Sequence, residues 1–203
     1  NTLNMIASMA QVEDAATTEQ MITAMSRLFR YNLKSTDSVM PLERELKVVS
    51  DYMYLQQMRF GKRLRFTSDC PADTLDYLVP SFALQPLVEN ALYHGIKNKR
   101  GRGRIWVRGY AKEDMAVLEV EDDGAGMKEE EMEGVRRKLR GEKDPAFREG
   151  PAPKGGFGLF NVAERLRLND GSRCSLEFKS VLGLGTRAVV NIPLESGYDR
   201  EGE

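Results

Sequence analysis

The stretch Leu87-Val88-Glu89-Asn90-Ala91-Leu92-Tyr93-His94-Gly95 constrains the whole chain. Its apolar residues have helical spacing, yet it sets an acid beside an amide. Positions four apart stack one turn above each other, so Glu89, Asn90 and His94 come close to one face. A core helix that turns its polar residues to water accounts equally well for nine residues taken alone, because periodicity specifies burial and not chemistry. Three glycine groups further along separate the two readings.

A chain of 203 residues can bury a core of ordinary size in one or two domains, so folding needs neither a metal nor a disulfide. The formal net charge of −1 gives no overall field to attract nucleic acid or an anionic membrane. Nucleic acid is therefore not an expected partner. Cys70 and Cys174 are far apart, and no second cysteine or histidine stands near either, so both read as reduced core thiols. No apolar run reaches the roughly 18 to 20 residues of a membrane span, which predicts a cytoplasmic location for this stretch of chain.

The amino-terminal part reads as helical. Leu3, Ile6 and Ala10 have helical spacing, and Thr17 with Gln20 has the spacing of a capping box at the start of a second helix. Met21, Met25, Leu28 and Phe29 form an apolar stripe on it. After the polar break Lys34 to Ser38, Pro41 suits the first turn of a helix running towards Phe60, closed by Gly61, with Leu42, Leu46, Val49 and Met53 as its buried stripe. Two such stripes predict an antiparallel hairpin whose faces are too broad to satisfy each other, and which either pairs with a second copy or packs back on the rest of the chain.

From Leu64 the pattern changes. Leu64 to Thr67 reads as a strand, Pro71 and Pro80 bracket a short connection, and Ser81 is the expected start of the helix that carries Glu89 and Asn90. Arg104 to Tyr110 and Met115 to Asp122 read as neighbouring antiparallel strands. Period-two alternation puts Asp122 on the same face as Ala116, Leu118 and Val120, where an unpartnered charge is expensive, so Asp122 is expected to have a dedicated partner. Glu129 to Leu139 is helix-forming. Gly141 to Gly156 holds three prolines and reads as a movable loop. Leu159 to Leu168 returns to helix, and two strands around Leu176-Phe178 and Ala188-Ile192 finish the fold before a polar tail.

The three glycine groups are Asp122-Asp123-Gly124-Ala125-Gly126 at a strand end, Gly155-Gly156-Phe157-Gly158-Leu159 entering a helix, and Gly183-Leu184-Gly185-Thr186 between strands. Each alone fits plain turn geometry. Glycine before a helix also lets backbone approach an anion, where free amides and a partial positive charge favour phosphate, a role that Gly156, Gly158 and Leu159 fit. A carboxylate on an apolar face can accept from an exocyclic amino group, and a side-chain amide can give an oxygen to magnesium.

In this order the blocks resemble the GHKL ATP-binding domain of sensor histidine kinases, gyrase-type topoisomerases, ninety-kilodalton heat-shock chaperones and mismatch-repair ATPases. The similarity runs from about Leu64 to Leu194: Glu89-Asn90 with His94-Gly95 looks like the N box, Asp122 to Gly126 the G1 box, Gly156 to Leu159 the G2 box and Gly183 to Thr186 the G3 turn. Leu28-Phe29-Arg30-Tyr31, Leu42-Glu43-Arg44-Glu45 and Arg59-Phe60-Gly61 are similar to the dimerisation region of LytS-like histidine kinases. The fold so implied is α+β: a helical hairpin followed by a Bergerat-type α/β sandwich whose mixed, mainly antiparallel sheet is covered by helices on one face. The implied domains are residues 1–61, 62–195 and a tail at 196–203.

The resemblance implies ATP and Mg2+ as ligands, with Asn90 holding magnesium, Glu89 acting on the incoming histidine, Asp122 bonding the adenine amino group and Thr186 supporting that contact. His94, Gly95, Gly124, Gly126, Gly156, Gly158 and Leu159 complete the expected nucleotide site. His94 is the sole histidine and belongs to the N box, so the phosphoacceptor is expected upstream, in a longer sensor kinase anchored in the cell membrane. Homodimerisation through the first helices and a response-regulator receiver domain are the implied partners. Tyr93 departs from the family pattern, which often has lysine there, and Lys97 and Lys154 read as solvated. A decayed signalling module and a GHKL ATPase are the competing readings. Intact Glu89, Asn90 and Asp122 oppose the first, and the preceding hairpin opposes the second.

Overall fold

The computed structural model describes residues 2–34, 38–97, 99–140, 157–170 and 173–194. The expected movable loop, the tail and Gly156 lie outside these residues, as does most of the expected polar break. Three helices open the chain: α1 (Thr2–Val12), α2 (Ala16–Lys34) and α3 (Leu42–Phe60). The second starts one residue before Thr17. Pro41 stands just outside α3 with extended backbone (φ −59°, ψ 140°), and Gly61 closes the helix at φ +56°, a left-handed conformation that glycine adopts without a Cβ penalty.

Pro41 also ends a strand that the sequence did not announce. The three-residue β1 (Val39–Pro41) pairs antiparallel with β3 (Leu78–Pro80) and ties the start of α3 to the segment before the Glu89 helix. The main sheet has the order β2-β4-β5-β7-β6, from β2 (Leu64–Asp69), β4 (Gly103–Lys112), β5 (Met115–Asp122), β7 (Gly185–Pro193) and β6 (Ser175–Val181). The β2–β4 pair is parallel and the other three are antiparallel, which makes the sheet mixed and mainly antiparallel as expected.

Register determines what each face carries. Ile105 opposes Asp122, Val107 opposes Val120, and Leu118 opposes Val190, so one face presents a continuous buried apolar surface to the helices α4 (Gln85–Asn90) and α6 (Phe157–Asp170). The helix α5 (Glu129–Leu139) adds Met132 to the same core. On the opposite face, Glu119 is buried beside Val117 and opposite Val189, and its charge is compensated: Arg108 and Arg187 both pair with its carboxylate, and Arg108 also reaches Glu121 at 2.7 Å. Arg108 and Arg187 lie on the strands flanking β5, so this ion pair network stitches the centre of the face opposite α4 and α6.

Helix α3 is part of this core. Leu42, Val49 and Met53 are fully buried in the same cluster as Leu84, Leu87, Val107 and Leu118, whereas α1 and α2 contribute none of its described members. Among the described residues no helix is long and apolar enough to cross a membrane. Trp106, the sole tryptophan, lies on β4 and reports on the sheet. Met53→Ala should therefore lower the denaturant midpoint of the Trp106 fluorescence transition, by about 2–4 kcal/mol of stability. An unchanged transition would mean that the sheet folds without α3.

Candidate functional site

Helix α4 begins at Gln85, four residues later than the sequence suggests, because Ser81 to Leu84 forms a turn in which Phe82 takes φ +61°. After Asn90 the helix widens into a π-helical turn, Ala91–Ile96, with Lys97 N–H reaching back five residues to the Leu92 carbonyl at 2.9 Å. Such widened turns are rare and occur at functional sites. Here it rotates Gly95 and Ile96 inward and leaves Tyr93 and His94 exposed, while Glu89 and Asn90 are half-buried. The Lys97 ammonium sits 4.2 Å from the centre of the Tyr93 ring, and the Tyr93 and His94 rings meet edge to face.

Glu89 has a neighbour that the sequence reading passed over. Gln85, one turn earlier, donates from Nε2 to Glu89 Oε1 at 2.8 Å, while its own Oε1 is buried with no hydrogen-bond donor among the described residues. The spacing of four was the available signal. Tyr52 of α3 is also in electrostatic reach. Burial, and then the Glu89 carboxylate, push its hydroxyl up to about 12, against the pull of Arg59.

Asp122 is 4% exposed at the end of β5, on the apolar face as expected. Its dedicated partner is backbone: Gly124 N–H donates to Oδ1 at 2.8 Å. Burial raises its pKa to about 6, opposed by the Gly124 bond, reinforced by the neighbouring Asp123 charge, and opposed further by the Thr186 backbone and Lys99. Lys99 pairs with Asp123 at 3.0 Å, and Asp123 in turn accepts from Arg104 N–H, which fixes the strand end.

The glycines explain themselves by space. A Cβ on Gly95 would lie 2.3 Å from Asp122 Oδ1, and one on Gly124 would lie 2.4 Å from the Gly95 backbone. A Cβ on Gly185 (φ +113°) would lie 1.9 Å from the Asp122 carbonyl oxygen, and one on Gly126 (φ +63°) 2.0 Å from that of Val181. Ala125 N–H bonds Gly95 O and Gly183 N–H bonds Ala125 O, so the N-box turn, the strand end and the β6–β7 turn are laced together. Thr186 opposes Asp122 in register, and its hydroxyl meets Ser180 Oγ at 2.9 Å. Ser180, which also accepts from Met127 N–H, is a second member that the sequence reading missed, since only tertiary pairing brings it there.

Gly95, Asp122, Gly124, Gly126 and Thr186 are thus brought together, and Glu89 and Asn90 end α4 directly before the turn that holds Gly95. Gly158 and half-buried Leu159 open α6, which packs on α4, and Gly156 falls outside the described residues. Among the described residues no group of three or more His, Cys, Asp or Glu could hold a metal. The half-buried Asn90 amide can supply one hard oxygen, a donor set that fits magnesium completed by phosphates and water.

Comparison with known proteins follows the same outline. Residues 80–196 match the family described as histidine kinase-, DNA gyrase B- and HSP90-like ATPases, and residues 1–64 match that described as histidine kinase. Sensor protein LytS of Bacillus cereus is 31% identical over 202 residues, 99% of this chain and 33% of the relative. Sensor histidine kinase YesM of Bacillus subtilis is 28% identical over 193 residues, 95% of this chain and 30% of the relative. The chain spans about a third of the length of these curated relatives. A histidine kinase domain of a blue-light-activated kinase from Erythrobacter litoralis has the same fold, with TM-score 0.53 and 20% identity over 96% of this chain and 86% of that one.

The buried carboxyl gives a stability signature. Because the folded-state pKa of about 6 lies above the ordinary aspartate value, Asp122 contributes stability that is fully present below the unfolded value and is lost as pH rises through about 6. Asp122→Asn lacks this loss. Urea unfolding at pH 4.5 and 7.5 should show the variant gaining about 2 kcal/mol on the parent between the two. A constant difference would mean that Asp122 is not desolvated.

Proposed function

The chain belongs to the histidine kinases built on the histidine kinase-, DNA gyrase B- and HSP90-like ATPase domain, and we propose that it is the ATP-binding catalytic part of a sensor kinase that phosphorylates a histidine. The observation that carries this reading is Asp122: a carboxyl almost without exposure, held on an apolar face by backbone, the Gly124 amide and then Thr186, with acceptor capacity left for a ligand donor. An adenine exocyclic amino group is such a donor. Thr186, anchored by Ser180, supports the base from the neighbouring strand.

Phosphoryl transfer asks mainly for positioning and charge neutralisation. Asn90 holds magnesium, which when bound neutralises the phosphate oxygens. Glu89, oriented by Gln85, polarises the attacking imidazole by accepting its N–H while the other ring nitrogen attacks the γ-phosphorus and ADP leaves. His94, Gly95, Gly124, Gly126, Gly156, Gly158 and Leu159 line the nucleotide, the last three closing over its phosphates. The phosphohistidine then passes its group to an aspartate of a receiver domain.

The division at residue 61 is part of this proposal: the histidine kinase match ends at residue 64 and the ATPase match begins at residue 80, while α3 packs into the core of the sheet. Residues 62–195 are then the ATP-binding part and 196–203 a tail. Exposed Ile6, Met9, Met21, Met25 and Phe29 on α1 and α2 support pairing with a second copy through these helices. Cell-membrane anchoring of the whole protein belongs to the same proposal.

Calorimetric titration with a non-hydrolysable ATP analogue tests the reading. Binding should be adenine-selective, strengthened by Mg2+, and weakened by about tenfold or more in Asp122→Asn. Asn90→Ala should remove the magnesium enhancement and leave the base selectivity. Failure of the parent chain to distinguish adenine from guanine would overturn the assignment.

A further inference from the structure

A buried carboxyl that phosphoryl transfer does not use lies between the helices and the site. Glu45 of α3 has no exposed surface, and burial raises its pKa. Three donors converge on it. The Tyr31 hydroxyl of α2 donates to Oε1, Phe82 N–H donates to the same oxygen at 2.7 Å, and Leu84 N–H donates to Oε2 at 3.0 Å. Phe82 N–H also lies 3.0 Å from the Tyr31 hydroxyl. The residue so gripped holds φ +61°, a conformation that a bulky L residue rarely adopts and keeps only when its surroundings over-determine it.

The Phe82 side chain is held as firmly as its backbone. Its ring centre is 4.5 Å from that of Tyr31, and the Arg165 guanidinium of α6 lies 4.6 Å from the same centre. Arg165 Nη1 also donates to Ser81 O at 2.9 Å, and Ser81 N–H bonds Ser38 O beside β1. One strained residue therefore joins α2, α3 and α6, three residues before the helix that carries Glu89 and Asn90.

The two helices that meet there are anchored differently. Helix α3 is fixed in the main core, but α2 contributes no described member to that core and touches this region through Leu28 and Tyr31, in a small cluster with Met40, Val48 and Phe82. Outside that cluster α2 buries Ala24 and Ser26, and two side-chain contacts join it to α3, the two-bond Arg27–Asp51 pair and the exposed Tyr54–Gln20 bond. A shift of α2 against α3 thus reaches the site chiefly by moving Tyr31 off Glu45. We propose that Tyr31, Glu45, Phe82 and Arg165 form a coupling node, in which Glu45 is a positioning residue for Glu89 and Asn90 and the register of α2 decides whether α4 and α6 are held in their working places. The roles of Glu89 and Asn90 rest on the reading given above; the node itself rests on geometry.

Hydrogen exchange and nucleotide titration of the 203-residue chain test it together. Tyr31→Phe removes one hydroxyl and keeps the ring, while Tyr54→Phe, the control, cuts a different α2–α3 bond that does not reach Phe82. Tyr31→Phe should speed exchange at Phe82, Leu84, α4 and α6 by about tenfold while β4 and β5 stay protected. The gain in ATP-analogue affinity on adding Mg2+ should fall roughly threefold, with magnesium-free ADP affinity unchanged. Tyr54→Phe should do neither. Faster exchange confined to α2, uniform loss across the sheet, or an unchanged magnesium gain would overturn the node. If the parent chain binds no adenine nucleotide, the reading of the site fails, and the exchange pattern alone judges the coupling.

Discussion

Burial of the Asp122 carboxyl is the constraint on which the site depends. Strand alternation commits it to the apolar face, since Ala116, Leu118, Val120 and Asp122 cannot be separated without a shift of register. Once there, it must be approached closely by backbone, because backbone amides are the donors that fit so small a space. Gly124 supplies the amide, and Gly95, Gly124 and Gly185 supply the room. Glycines that in sequence suggest flexible phosphate loops are, at these positions, where three chain segments pack against one acid. The same acid keeps acceptor capacity for a ligand, so the packing demand and the functional demand coincide.

The sheet makes a second point by contrast between its faces. Glu119 and Asp122 lie on the same strand, and both are almost without exposure. Glu119 meets two arginines on the neighbouring strands, and a carboxylate so paired is structural. Asp122 meets backbone, the Gly124 amide first and Thr186 after it, and the pull of Lys99 on it is weaker than either. A buried acid with its charge compensated holds a fold together; one left short of donors is equipped to receive a ligand.

Much of this was legible in the chain. Period-two alternation found β4, β5 and β7, helical stripes found α1 to α3 and α6, and the position of Asp122 followed from counting along one strand. What escaped depended on partners distant in sequence. Ser81-Phe82-Ala83-Leu84 reads as the start of a helix, and becomes a left-handed turn because Glu45, from another helix, accepts the Phe82 and Leu84 amides. The π-helical turn escaped because its extra residue is needed only where Gly95 must lie against Asp122. The pairing of β1 with β3 is three residues long, too short to announce itself by periodicity. Gln85 and Ser180 were hidden for a plainer reason: polar residues within apolar stretches declare a partner without naming it.

The most direct test of the central claim is carbon NMR titration of the Asp122 carboxyl in the free chain and with ADP. The account predicts a midpoint near 6 in the free protein, set by burial, and a fall of that midpoint when ADP is added but not when GDP is, because an amino donor favours the charged form. A midpoint at the ordinary aspartate value, or one indifferent to the adenine nucleotide, would contradict it.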